Sequence, residues 1–337
     1  MRDKLEYQKD GWYFAQCGRD LETLVAEELQ DMQVQQVKTV RAGVHFQAEQ
    51  EVFYRVNYCS RIASRILAPL VTFRCASEND LYKKGYNFEW EKILDTAHTF
   101  AIVSHVSNSA ITHSQYAALK LKDAIADRFR AKYGKRPSVD RENPHILLHL
   151  NVQDNRAIIS LDASGGPLYR RGYRMQGGEA PMQETLAAAI IRLSGWEGKL
   201  LLYDPMCGSG TLLAEALLHA CHIPSCFRRQ YFGFERLPDY DLTLWRKVKK
   251  NSDSLICEIP DDLIAGSDIE PSVLKMASAN LSLITSGEKV KLIQCDFRQL
   301  PELKNYCIVC NLPYGVRQGE KEALKLLYKE FGDFLKR

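Results

Sequence analysis

Val309-Cys310-Asn311-Leu312-Pro313-Tyr314-Gly315 closes an apolar run with residue types that suit one reaction. The lone pair of an exocyclic base amine is delocalised into its ring, so acceptors that hold both N–H bonds favour a more tetrahedral, nucleophilic nitrogen. The Asn311 side-chain oxygen and the Leu312 carbonyl can be those acceptors, and Pro313 steers its predecessor into extended geometry. Tyr314 offers a ring on which an unpaired or flipped-out base stacks, a contribution of about 1–3 kcal/mol. A plain strand-ending turn can carry the same letters, so the motif needs a methyl donor beside it.

Tyr203-Asp204-Pro205-Met206-Cys207-Gly208-Ser209-Gly210-Thr211 supplies a place for one, where a strand turns into a helix and Gly208 and Gly210 permit a tight turn. The third glycine of a dinucleotide fingerprint is replaced by Leu213, and no Gly-Lys-Ser/Thr closes the turn around a triphosphate. Asp204 repels phosphate but attracts the sulfonium or amino group of S-adenosylmethionine. A second strand ends in Ala265-Gly266-Ser267-Asp268-Ile269-Glu270, where Asp268, or failing it Glu270, can accept both ribose hydroxyls. A third ends in Gln294-Cys295-Asp296-Phe297, with Asp296 for the adenine amino group and Phe297 to cover the ring. Each acid alone also reads as a helix cap; three in order behind a glycine turn read as a nucleoside site formed with Met206, Cys207, Gly208, Ser209 and Gly210.

Strands alternating with helices must position these residues. The pattern predicts helix 182–192, strand 199–203, helix 211–222, strand 263–267, helix 272–283, strands 289–294 and 307–310, and helix 320–334, which is a parallel, doubly wound α/β sheet. Upstream the chain reads as α+β: strand 12–17, helix 21–32, strands 43–47, 60–71 and 100–106, helical pieces at 81–84 and 90–94, helix 114–132, then strands 146–152, 157–161 and 168–173. Gly165-Gly166-Pro167 is a turn. In helix 114–132, Tyr116, Leu119, Ile125 and Phe129 are expected to face the core, with Lys120, Lys122, Arg128 and Arg130 outward.

The net charge of +3 hides an asymmetry: residues 112–174 hold twelve Lys/Arg, among them Arg170, Arg171 and Arg174, against six Asp/Glu. Such an excess suits a phosphate backbone. The 337 residues are enough for two cores. No apolar run approaches the roughly 18 residues of a membrane span, and Met1 opens no charged-then-apolar leader, so a soluble, cytoplasmic protein is expected. Ten cysteines scattered through ordinary patterns suit a reducing compartment. His219, Cys221, His222 and Cys226 do not have the spacing of a zinc finger, and Cys307 and Cys310 lie in a strand that points neighbours apart, so no metal is expected.

With these residues assembled, the chain resembles the THUMP-containing RNA methyltransferases, in particular the amino-terminal part of the bacterial 23S ribosomal RNA guanine-N2-methyltransferases. The resemblance is carried by His113-Ser114-Gln115-Tyr116-Ala117-Ala118-Leu119-Lys120, Pro137-Ser138-Val139-Asp140-Arg141, Leu168-Tyr169-Arg170-Arg171-Gly172-Tyr173-Arg174, Ala180-Pro181-Met182-Gln183-Glu184-Thr185 and Asp204 through Leu213. It implies a ferredoxin-like segment at 1–50, a THUMP RNA-binding domain at 51–165, a linker at 166–180 and a Rossmann-like class I methyltransferase domain from 181 onward. It also implies that Pro181 and Thr185 close over the donor, and that the substrate is guanine N2 in large-subunit ribosomal RNA or an assembly intermediate. Such a domain has seven strands, of which four can be placed before Arg337, so Ile308 and Val309 are expected on an edge lacking cover on one side, in a truncated chain, a split protein completed by a partner chain, or one closed by self-association. DNA adenine-N6 methylation, and a non-catalytic or split RNA-binding protein, stay open as alternatives.

Overall fold

Ile146, Leu148, Leu150 and Val152 are buried and alternate with less buried neighbours along one strand, as Tyr13 and Ala15 do near the amino terminus. Period-two burial of this kind builds a sheet with one covered face. The computed structural model describes residues 4–175, 182–313 and 321–336. It divides into two compact units, Met1–Leu168 with Arg229–Lys250, and Tyr169–Arg228 with Asn251–Arg337.

The first unit contains α1 (Glu6–Asp10), β1 (Trp12–Gln16), α2 (Glu22–Asp31), β2 (Gln36–Val40), β3 (Gly43–Gln47), α3 (Gln50–Cys59), β4 (Arg65–Arg74), α4 (Glu78–Asn87), β5 (Phe100–Ser107), α5 (Ser114–Tyr133), β6 (Ile146–Gln153) and β7 (Arg156–Asp162). Its seven strands form one sheet in the order β2-β3-β1-β4-β7-β6-β5. Because β1 pairs antiparallel with both β3 and β4, the sheet runs without interruption across residue 50.

Three sequence expectations change here. The strand expected from Ser60 begins only at Arg65, because Ser60 ends α3 and the Glu28 carboxylate accepts from Ser60 Oγ (2.7 Å) and Arg61 N (2.7 Å). On α5, Tyr116 and Leu119 are 44% and 36% exposed, and the buried stripe is Ala117, Leu121, Ala124, Ile125 and Phe129. Its phase is set by close approach to α4: a Cβ on Gly85 would meet Leu121 Cδ1 at 2.8 Å and Ala124 Cβ at 3.1 Å. Residues 168–173 form no strand, since Gly172 takes φ +86° and Arg171 N turns back to Tyr169 O (2.9 Å). Nor is this stretch a loose tether: Leu168, Arg171 and Tyr173 are buried.

The second unit holds α6 (Glu184–Leu193), β8 (Leu201–Asp204) and α7 (Thr211–Ala220); after α8 (Leu242–Asp253) come β9 (Ile264–Asp268), α9 (Pro271–Leu281), β10 (Lys291–Gln294), β11 (Tyr306–Ile308) and α10 (Lys321–Phe334). The four strands are parallel, in the order β10-β9-β8-β11. This is the α+β half followed by a Rossmann-like α/β half that the sequence predicts. As expected, β11 is an edge of the four-stranded sheet among the described residues, but its side chains are not left bare. Val309 is 5% exposed in the core beneath α7, and Ile308 packs against the cluster of Tyr203, Phe297, Phe331 and Phe334.

The chain leaves this unit between α7 and β9. Residues 229–250 return to the first unit, where Phe232, Phe234 and Trp245 pack with Tyr54 and Tyr58; the Tyr54 and Phe234 rings stack at 4.6 Å. Among the described residues no helix is long and apolar enough to cross a membrane.

Candidate active site

Every parallel strand of the second unit ends on the same side, so the side chains just after β8, β9, β10 and β11 converge. The turn after β8 is held by backbone hydrogen bonds, Cys207 N donating to Ser267 O of β9 (2.9 Å) and Gly210 N to Cys207 O (2.9 Å). Gly208 and Gly210 take φ +52° and +79°, a conformation that favours glycine, and a Cβ on Gly210 would lie 3.1 Å from Ala277 Cβ of α9.

Asp268 spans two strand ends, its Oδ2 accepting from Gly208 N (2.9 Å) and its Oδ1 from Glu270 N (3.0 Å). Glu270 caps α9, accepting from Ser272 Oγ (3.0 Å) and Ser272 N. Asp204 is 1% exposed and its Oδ1 accepts from Met206 N (3.2 Å). Burial first, and the nearby Asp268 carboxylate second, push the Asp204 carboxyl up to about 7, against the pull of hydrogen bonds from Met206 N and the Cys310 thiol. Burial likewise raises the Cys207 and Cys310 thiols, helped by Asp204, so neither is a ready nucleophile.

Asp296 caps a short helical turn through Arg298 N (2.9 Å) and pairs with Arg298 Nη1 (2.8 Å), and Arg298 reaches on to Glu330 of α10 (2.6 Å). Phe297 is only 3% exposed and its ring packs against Phe331 and Phe334, so it is a wall of the site more than an open stacking face.

These strand ends enclose a cavity of about 430 Å³. Its lining comes from Pro205 and Met206 after β8, Asp268 and Ile269 after β9, Cys295 through Arg298 after β10, and Asn311 through Pro313 after β11, with Leu327 of α10. The expected donor residues Met206, Asp268, Asp296 and Phe297 thus share one space with Asn311, Leu312 and Pro313. Asp204, Cys207, Gly208, Ser209 and Gly210 form the strand end and turn adjoining it, and Thr185 is buried on α6. Pro181 and Tyr314 lie outside the described residues.

Sequence reasoning missed Ile269, which is 65% exposed beside Asp268, and Arg298. An apolar residue directly after Asp268 was a readable signal. It also missed Tyr328, whose hydroxyl donates to Pro313 O (2.8 Å); that contact depends on α10 folding back and has no local signature.

The basic residues separate into two kinds. Arg171 does not face a polyanion: it is 1% exposed and paired with Glu215, which also corrects the expectation that it binds RNA. Arg174 is largely committed as well, donating to Met182 O (2.7 Å) and Thr211 Oγ1 (2.9 Å). Arg128 donates to Glu91 (3.1 Å) and to Tyr86 O (3.1 Å). Arg170 and Arg130 are exposed, Lys120 lies 5.2 Å from the Tyr82 ring centroid, and Lys122 and Arg130 make only partly exposed pairs with Asp123 and Asp127. Such pairs hold a charge weakly. Among the described residues no three His, Cys, Asp or Glu side chains are grouped as a metal ion would require.

Three family models match the chain: an RlmL ferredoxin-like domain over residues 13–67, a THUMP domain over 75–162, and an RMKL-like methyltransferase domain over 171–337. A putative RNA methyltransferase of Synechocystis, slr0064, is 36% identical over 325 residues, covering 96% of this chain and 85% of that protein. The ribosomal RNA large subunit methyltransferase K/L of Vibrio campbellii is 37% identical over 330 residues; the chain spans 47% of its length, about half. Among solved structures, a predicted N6-adenine-specific DNA methylase from Listeria monocytogenes superposes with a TM-score of 0.85 at 26% identity, covering 100% of this chain and 89% of that one. A putative methyltransferase, SMU.472, complexed with SAH, gives 0.83 at 26% identity, covering 97% and 87%.

Proposed function

The chain belongs to the THUMP-containing, RMKL-like RNA methyltransferases, and from that premise we propose that it methylates the exocyclic N2 amine of a guanine in 23S ribosomal RNA, in the cytoplasm. The methyl donor is S-adenosylmethionine, which supplies an electrophilic methyl group on a sulfonium.

The residues present fit that donor. The cavity joins two carboxylates, Asp268 and Asp296, to apolar walls from Met206, Ile269 and Phe297, the mixture a nucleoside with a thioether-like tail requires. Asp268 would hold the ribose and Asp296 the adenine amino group, while Asp204 lends negative charge behind the turn. One observation carries the reading: Asn311 and Leu312 border the same cavity as Asp268 and Asp296, so that amine and donor would share one space. Asn311 and Leu312 would accept the two amine N–H bonds and turn the nitrogen lone pair toward the methyl group. Tyr314, next in sequence, is assigned the stacking role, and Thr185 and Pro181 a role beside the donor. No covalent enzyme intermediate is needed.

RNA is favoured over DNA by the THUMP match and by relatives described as RNA methyltransferases. Exposed Arg130 and Arg170, with the half-buried Lys120 and Lys122, would contact phosphates, on free ribosomal RNA or on a precursor particle.

Calorimetric titration of S-adenosylmethionine, with Asp268→Ala as control, followed by methyl transfer to ribosomal RNA by wild type and Asn311→Ala, tests the reading. Donor binding lost in the first variant, and transfer lost with binding kept in the second, supports it. No donor binding by folded wild type would overturn autonomous catalysis and leave an RNA-binding protein. Methylated adenine in DNA would overturn the choice of substrate.

A further inference from the structure

We propose that Asn280 is a positioning residue for the methyl-donor turn, locking the Ser209–Gly210 peptide from a helix that the proposed reaction does not otherwise use. The inference rests on reading that turn as the donor site.

Asn280 lies in the last turn of α9 and is 1% exposed. A buried amide needs partners at both ends, and this one has them on two different segments. Its Oδ1 accepts from Met175 N (3.0 Å), and its Nδ2 donates to Ser209 O (3.1 Å). Ser209 is flanked by Gly208 and Gly210, both at positive φ, so the backbone has little stiffness of its own there. The Ser209–Gly210 peptide is pinned on one side by Gly210 N donating to Cys207 O (2.9 Å), and on the other by Asn280.

The second partner of Asn280 is itself anchored. Met175 ends the strap 169–175, in which Arg171 and Tyr173 both reach Glu215 and Arg174 reaches Thr211 Oγ1, so the strap grips α7 directly behind the turn. Asn280 links this strap to the turn. Gly210 also packs against Ala277, three residues before Asn280 on the same helix, so α9 braces the turn at two points. A polar residue at position 280 with both a donor and an acceptor is what the geometry demands; Asp supplies only the acceptor when ionised.

Asn280→Ala and the near-isosteric Asn280→Asp test this by calorimetry with S-adenosylmethionine, amide hydrogen exchange across residues 207–211, and binding of a ribosomal RNA fragment. Loss of one buried hydrogen bond corresponds to about a tenfold weaker donor Kd. Both variants should show it, with a raised donor KM, a nearly unchanged kcat at saturating donor, faster exchange at Gly210, and RNA affinity equal to wild type. Should the alanine variant fail to fold, the aspartate variant decides. Donor affinity equal to wild type in a folded variant overturns the proposal, as does an equal loss of donor and RNA binding. Absence of donor binding in wild type would instead overturn the reading of the turn itself.

Discussion

Arg171 and Glu215 form an ion pair, Nε to Oε1 at 3.3 Å, in which neither side chain has exposed surface. Tyr173 donates its hydroxyl to the same Oε1 at 3.0 Å. Removing one member of such a pair strands a charge in a low-dielectric interior, a loss of about 3–5 kcal/mol. Arg171→Met should therefore lower the melting temperature sharply, and Glu215→Met added to it should recover much of the loss. If Arg171→Met instead melts like wild type and binds RNA more weakly, the arginine is not structural.

If Asp204 serves the donor as proposed, donor binding should depend on pH. Its carboxyl, held up to about 7 by burial and by Asp268, is ionised only as pH rises through that value, and a cationic donor favours the ionised form. The Kd for S-adenosylmethionine should fall by up to about tenfold per unit as pH approaches 7 from below, then level off. Asp204→Asn should bind weakly with a flat profile across calorimetric titrations at several pH values. The sign for the unliganded protein is opposite: with the folded value raised, stability declines from the ordinary carboxylate range up to about pH 7 and is constant above it.

Tyr328→Phe removes the hydroxyl that holds the Pro313 carbonyl at 2.8 Å. An exposed bond of this kind contributes about 0.5–1 kcal/mol, so kcat should fall by roughly twofold to fivefold while donor Kd stays within twofold. Single-turnover methylation measured beside calorimetry separates the two. A change confined to donor affinity would place Tyr328 outside the base site.

The basic residues of α5 should behave differently from one another. Lys122→Ala and Arg130→Ala should each reduce the slope of log affinity against log salt by about one and leave the melting temperature unchanged. Arg128→Ala should instead destabilise the protein, because its guanidinium ties Glu91 to the Tyr86 carbonyl. Filter binding across a salt series, with thermal melts of the same samples, checks both.

The grouping of the candidate site residues was more legible in the sequence than the packing was. That Asp268, Asp296 and Asn311 share one cavity was readable because strand ends in a parallel sheet face one way, so that residues after successive apolar runs converge. Arg171 was misread because a cluster of cations says nothing of burial, and its partner Glu215 lies 44 residues away. On α5, Ile125 and Phe129 are buried as expected, but Tyr116 and Leu119 are not, since a glycine on α4 meets Leu121 and Ala124 instead. Helices α3 and α8 gave weak signals: Gln50–Cys59 is rich in Phe, Tyr and Val, types that fit strands equally well, and its helical form follows from rings buried against Phe234 and Trp245.

Residues 229–250 have a consequence for how such a protein could arise or be taken apart. The chain passes between its two units at 168/169, 228/229 and 250/251, not at a single joint. A protease cut at one of these places leaves covalent continuity through the others, and a gene that swapped only the first 168 residues would orphan Phe232, Phe234 and Trp245 from the aromatic rings they pack with. Exchanging one unit for another therefore means moving residues 229–250 together with the first 168.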